Sequence, residues 1–153
     1  MMKAPDLRDL RAPLLAWAVV ALVSIFLHGP VPLYSTRSLA VAWEMWDQGS
    51  WLVPLFNGAP YSHKTPLLPW LIHAGWLVTG VSDVWPRVLM VLLGGIVIAQ
   101  AGLLARRLYP GRALLPAYTA WAMAGFWYFF LFGLQVMYEL PLAVAVLGGL
   151  IAL

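Results

Sequence analysis

Arg37, Lys64 and Glu139 are the side chains with the most chemistry to offer in a chain that is otherwise nearly all apolar. Lys64 lies in the run Tyr61-Ser62-His63-Lys64-Thr65-Pro66-Leu67-Leu68-Pro69-Trp70, a short polar island just before an apolar segment. An ammonium there stands where an anionic lipid headgroup would lie, and it can neutralise a phosphate as a point charge. Its plainer role is snorkelling, in which a lysine anchors a helix end while its charge stays in water. Composition by itself favours that plainer role. Arg37 can grip a phosphate bidentately or pair with Glu44 or Asp47, and taken alone the ion pair is the simpler assignment. Glu139 is the only acidic residue after Asp83. A carboxylate at a helix start is stabilised by the helix dipole, whereas an ionisable group at membrane depth is a functional candidate by default. The residues leave both open. His63 and His73 are ten positions apart with no acidic partner at metal-ligand spacing, which argues against a zinc site. His28 needs no role beyond ending a helix.

The elements that must position these groups are membrane elements. The chain has 153 residues, of which 63% are hydrophobic and 10% charged, against about 25% charge in soluble domains. That composition predicts an all-α integral membrane protein. Cysteine is absent, which excludes disulfides and thiolate metal sites. A net charge of +3, scattered along the chain, gives no basis for nucleic-acid binding. Nine Trp and six Tyr suit a large membrane–water interface. The final apolar run, Leu140 to Leu153, stops without a polar flank. Because a spanning helix needs roughly 20 apolar residues, the expectation is a single membrane domain that forms the N-terminal piece of a longer protein.

Four transmembrane segments are predicted: 12–28, 84–108, 113–133 and 139–153. The first follows Lys3, Arg8 and Arg11 and runs into Gly29-Pro30-Val31-Pro32 with no small-x-small cleavage site. An uncleaved helix is therefore favoured over a signal peptide. Pro110 and Gly111 predict a tight turn, making the second and third segments an antiparallel hairpin. Gly94-Gly95 and Gly148-Gly149 suit close helix packing. The segment 66–80 is apolar but, at about 15 residues, reaches only roughly 22 Å of a core about 30 Å thick. With that segment outside the bilayer and the N-terminus cytoplasmic, Lys3, Arg8, Arg11, Arg106, Arg107 and Arg112 lie inside and only Arg37, Lys64 and Arg87 outside. A spanning 66–80 would reverse the second group, against the positive-inside rule. The segment is thus predicted to be an interfacial helix in an external loop, 29–83.

A second helix is predicted at 35–48 in that loop, with Leu39, Ala42, Trp43, Met45 and Trp46 on its apolar side, Ser35 as N-cap and Gly49 as stop. Such a helix either lies in the interface or packs on the bundle; both put it beside the membrane on the outer side.

Together these pieces carry a pattern. Trp43-Glu44-Met45-Trp46-Asp47-Gln48-Gly49-Ser50-Trp51-Leu52-Val53-Pro54-Leu55-Phe56-Asn57-Gly58, followed by Tyr61 to Leu71, resembles the first external loop of the aminoarabinose lipid A transferases and their protein O-mannosyltransferase relatives. Those carry a similar G-x-W-x-V-P-x-F-N-G…Y-x-x-K-P-P-L-x-x-W sequence. Pro86-Arg87-Val88, Arg106-Arg107-Leu108-Tyr109 and Glu139-Leu140 fall where the family has its R-x-P, R-R-L-F/Y-G and D-M/L elements. The resemblance spans roughly residues 34 to 145. It implies a polytopic GT-C-like helical bundle in a bacterial inner membrane, with two interfacial helices in the first external loop. It also implies transfer of a sugar from a polyprenyl-phosphate donor to a lipid, glycan or protein acceptor at the outer face. On that footing Lys64 and Arg37 would bind the donor phosphate and Tyr61 and His63 would line the site. Glu139 would act as base or as ligand of a divalent cation.

The chain departs from the family at one place that matters. Where the family carries D-E-x-R-Y, this chain, aligned on Arg37, has Tyr34-Ser35-Thr36-Arg37-Ser38. A tyrosine of ordinary pKa, about 10, is a poor base at neutral pH. Two further readings stay open on that ground: a catalytically silent relative that binds a polyprenyl lipid or a partner protein, and a structural helical bundle.

Overall fold

The computed structural model describes residues 10–153. Lys3 and Arg8, which entered the charge balance, lie outside the described residues. In chain order the elements are α1 (Arg11–Leu27), α2 (Tyr34–Asp47), β1 (Leu55–Phe56), β2 (Ala59–Pro60), α3 (Leu67–Thr79), α4 (Val84–Leu108), α5 (Leu115–Gly125), α6 (Trp127–Gly133) and α7 (Glu139–Ala152). The chain is mostly helical, as its composition predicts. The all-α expectation is amended by the small antiparallel hairpin β1–β2, in which Phe56 pairs with Ala59. Asn57 and Gly58, at φ 54° and 75°, form its two-residue turn. Asn-Gly is the dipeptide that such a left-handed turn prefers.

At 25 residues, α4 is the axis of the molecule. It is the one helix among the described residues that is long and apolar enough to cross a membrane by length and composition. Helices α1, α3 and α7 are apolar but shorter. The run predicted as one segment over 113–133 is divided, because Phe126 leaves helical geometry at φ −71°, ψ 115°. Gly125 lowers helix propensity at that point by about 1 kcal/mol relative to alanine. Packing then decides the break, with the Phe129 ring 5.2 Å from that of Trp17 on α1.

Two cores flank α4. On one side Ala42 of α2, Leu68, Ile72 and Trp76 of α3, and Leu140 of α7 pack on Met90, Leu93 and Val97. On the other, Trp17 and Ala21 of α1 and Ala120 of α5 pack on Val91 and Ile98. Gly94 makes the second contact possible, since a Cβ there would run into the Trp17 indole. The same indole donates to the Val91 carbonyl at 2.9 Å. Of the predicted close-packing glycines, Gly94 and Gly148 fill that role and their neighbours do not; an added Cβ on Gly149 would meet nothing within 4 Å. Adjacent helix positions point about 100° apart, so a glycine pair offers only one of its two members to a given neighbour.

Helix directions follow from the bonds between ends. Arg87, near the start of α4, donates to the Ile25 and His28 carbonyls at the end of α1. Arg107, near the end of α4, donates to the Ile151 carbonyl at the end of α7. Thus α1 runs antiparallel to α4 and α7 runs parallel to it. Arg112 N–H closes the Pro110-Gly111 turn on the Tyr109 carbonyl at 3.0 Å, returning the chain into α5. Glu139 and the 29–83 connection consequently share one end of the bundle, and Arg106 and Arg107 occupy the other.

Helix α2 begins one residue earlier than predicted, and Ser35 is not its N-cap: Leu33 is, with no side-chain cap. Ser35 instead lies within the helix and is buried. The buried face is Ser35, Ser38, Val41, Ala42 and Met45, so Trp43, expected on it, turns outward and is 48% exposed. The 3.6-residue period selects 35, 38, 42 and 45 and leaves position 43 on the flank. Gly49 does stop the helix: at φ 65° it allows its own N–H to reach Trp46 O and that of Ser50 to reach Met45 O. That pairing satisfies two terminal carbonyls.

Candidate functional site

Three separate stretches converge at the end of the bundle that carries the long connection. Helix α2 supplies Tyr34 and Arg37 from its first turn. The β1–β2 hairpin turns the chain back, closed by Tyr61 N–H on the Pro54 carbonyl at 2.7 Å, and leads Tyr61 and Lys64 toward α3. Glu44 holds the hairpin tip by accepting from Gly58 N–H at 2.8 Å. The segment between α6 and α7 supplies Tyr138, and Glu139 opens α7, where the helix dipole favours a carboxylate.

The result is a cavity of about 200 Å³ lined by Tyr34, Arg37, Tyr61, Lys64, Tyr138 and Glu139, among others. The Lys64 ammonium is 3.7 Å from the Glu139 carboxylate and 5.3 Å from the centre of the Tyr138 ring. Both charged side chains remain substantially exposed, at 40% and 59%. Lys64 therefore does more than anchor a helix end: it is drawn into a cavity against an acid and an aromatic face. Arg37 lines the same cavity and, among the described residues, forms no ion pair with Glu44 or Asp47. Of the predicted site residues, Arg37, Tyr61, Lys64 and Glu139 are brought together. His63 is exposed and does not line the cavity; its ring meets Tyr61 edge-on at 5.3 Å.

Tyr138 was not legible as a site residue from sequence; adjacency to Glu139 was its only signal. Burial, then the neighbouring Tyr61 and Glu139, push its pKa up to about 12. The phenol therefore stays protonated across the physiological range. Its hydroxyl is buried and has no hydrogen-bond partner.

Ser35 was misassigned from sequence and fixes the geometry. Its Oγ accepts from Val136 N–H at 3.0 Å, a buried bond between α2 and the segment leading into α7. This bond holds Tyr138 and Glu139 beside Arg37. Ser35→Ala leaves Val136 N–H buried without an acceptor and is expected to cost about 1–3 kcal/mol. Chemical denaturation in detergent measures it; a loss below about 0.5 kcal/mol would place the bond outside the stabilising set.

A second, apolar groove of about 490 Å³ lies next to this cavity, between α6, α7 and α4. Phe129, Phe132, Met123, Leu140 and Leu147 contribute its walls, and Tyr34, Met137 and Glu139 line both spaces. A charged space thus lies beside an apolar one.

Among the described residues no three His, Asp or Glu side chains group to hold a metal ion. Glu139 faces a lysine, and an ammonium at 3.7 Å opposes a divalent cation on that carboxylate. The donor set does not fit a metal. His73 belongs to the core: it is 1% exposed, its Nε2 is 2.8 Å from the Ala42 carbonyl, and Trp46, Trp51 and Trp76 surround it.

No family model and no solved structure matches the chain. A curated relative does: the undecaprenyl phosphate-alpha-4-amino-4-deoxy-L-arabinose arabinosyl transferase of Pseudomonas savastanoi pv. phaseolicola, 30% identical over 102 residues. The aligned region is 67% of this chain and 19% of that protein's length. The resemblance read from the loop motifs is thus borne out over the aligned region, as similarity to part of an arabinosyl transferase.

Proposed function

We propose, from the premise of that similarity, that the chain is part of a membrane glycosyltransferase. In this reading it transfers a sugar from a polyprenyl-phosphate donor to a lipid, glycan or protein acceptor. The observation that carries the reading is a cavity with two cations beside an apolar groove, with Tyr34, Met137 and Glu139 lining both. An amphiphile with an anionic head and a hydrocarbon tail matches both at once. Lys64 and Arg37 take the phosphate oxygens, and the first isoprene units follow Met137 and Leu140 along α7. Helices α1, α4, the broken α5–α6 pair and α7 cross a bacterial inner membrane. Helices α2 and α3 lie along its outer face, and the N-terminus is cytoplasmic. The outward Trp43, Trp51 and Trp70 suit that interface, and the Arg106–Arg107 end suits the cytoplasmic side.

The chemistry balances without a metal. An acceptor hydroxyl attacks the anomeric carbon, the bond from that carbon to the phosphate oxygen breaks, and polyprenyl phosphate leaves. Lys64 and Arg37 meet the charge growing on the leaving phosphate. Glu139 takes the hydroxyl proton. Tyr61 packs at the cavity wall, with His63 against it.

Lys64→Ala tests the reading. Binding of undecaprenyl phosphate by the full protein in phosphatidylcholine nanodiscs is expected to weaken about 10- to 100-fold, the worth of a charge-assisted contact. Equal binding by both proteins sinks it. One observation favours a second reading, a silent relative that only binds the lipid: the positions aligned with the family's acids are Tyr34 and Ser35, and the Ser35 oxygen is committed to Val136. A wild-type protein that binds the lipid and transfers no sugar would decide for it.

A further inference from the structure

We infer that Glu139 is an internal counter-ion whose place on Lys64 an incoming phosphate takes, so that capture of the donor releases the carboxylate for the acceptor. The inference rests on the phosphate-binding reading above and adds an order of events to it. Lys64 has two partners in the cavity, the Glu139 carboxylate at 3.7 Å and the Tyr138 ring face. The ring is neutral and does not compete with an anion for the ammonium as a carboxylate does. The carboxylate does compete, because it is an anion on Lys64 at the cavity that both residues line.

The pair is built to yield. At 3.7 Å, with side chains 40% and 59% exposed, it is long and solvated, and such pairs contribute little net stability. A buried, bidentate pair would lock the cation away; this one holds it in position. A phosphate monoester or diester brings oxygens to both Lys64 and Arg37, whereas Glu139 meets Lys64 alone among the described residues. The ligand that spans both cations therefore displaces the one that reaches a single cation. Once displaced, Glu139 loses its counter-ion and lies beside the bound phosphate, free to meet the acceptor hydroxyl. A singly charged carboxylate ligand gains less from the exchange, so the arrangement also selects for phosphate.

Undecaprenyl phosphate binding by the full protein in phosphatidylcholine nanodiscs tests this, with wild type, Glu139→Gln, Glu139→Asp and Lys64→Ala compared. Removing the competing charge is expected to tighten binding by Glu139→Gln about two- to fivefold over wild type. Glu139→Asp keeps the charge and is expected to bind as wild type does. Glu139→Gln binding equal to or weaker than wild type, with Lys64→Ala still impaired, overturns the counter-ion role and leaves the phosphate site standing. Wild type and Lys64→Ala binding alike overturns the phosphate site itself. Inorganic phosphate at matched concentration separates head from tail: competition by it places the gain in the head cavity, and its failure to compete while Glu139→Gln still gains would overturn the exchange at Lys64.

Discussion

On the proposed function, Glu139→Gln is expected to lower sugar transfer by about 10²- to 10⁴-fold, the range that a positioned general base supplies, while fold and donor binding persist. Glutamine matches glutamate in shape and keeps the α7 start intact. The side chain is 59% exposed, so the exchange leaves no buried cavity. What disappears is the carboxylate that the proposal makes the proton acceptor. Because the same change removes the competitor for Lys64, donor affinity and turnover should move in opposite directions. A transfer assay at saturating donor separates the two, with the loss appearing in kcat. A substitution that merely loosened the site would lower both together. Wild-type transfer matched by Glu139→Gln would show that the proton leaves by another route.

Arg87→Met is expected to destabilise the fold by about 3 kcal/mol, the scale for removing one partner from a buried charged network. The Arg87 guanidinium donates to the Ile25, His28 and Asp83 carbonyls and to the Asp83 carboxylate, at 2.7 to 3.1 Å. Its side chain is 10% exposed. Methionine fills much of the volume but donates nothing, so the last carbonyls of α1 lose their partners and Asp83 loses its counter-ion. Loss should appear as a lower unfolding midpoint in detergent, with faster amide exchange concentrated at the end of α1. A midpoint change equivalent to less than about 0.5 kcal/mol would mean that water substitutes for the guanidinium. The family-like R-x-P position is thereby accounted for by helix pinning, with no contact to the charged cavity.

Much of the candidate site was readable because its residues are chemically rare in this chain. In a sequence with 10% charged residues, Arg37, Lys64 and Glu139 stand out against their surroundings. The helix of α2 was readable from its period and its glycine stop. Its rotation was not. Sequence put Trp43 on the packed face because tryptophan is large and apolar, but the face that packs is Ser35, Ser38, Val41, Ala42 and Met45. The hairpin escaped notice although Asn57-Gly58 marks it, because two-residue strands leave no alternation to read. The division at Phe126 left no proline behind to announce it; the packing of Phe129 on Trp17 decides it.

The sequence by itself determined an apolar helical chain, the few charges that stand out in it, and the motif that makes it similar to a glycosyltransferase. Those are properties of composition, order and local spacing, and each is written along the chain. Only the tertiary structure decided that Lys64 meets Glu139, that Tyr138 lies beneath the ammonium, and that Ser35 serves Val136 rather than its own helix end. These pairs are separated by 75, 74 and 101 positions respectively, from 139 − 64, 138 − 64 and 136 − 35. No local propensity acts over such separations. Their meeting is fixed by α4, whose two packed faces hold α1 and α5 on one side and α2, α3 and α7 on the other.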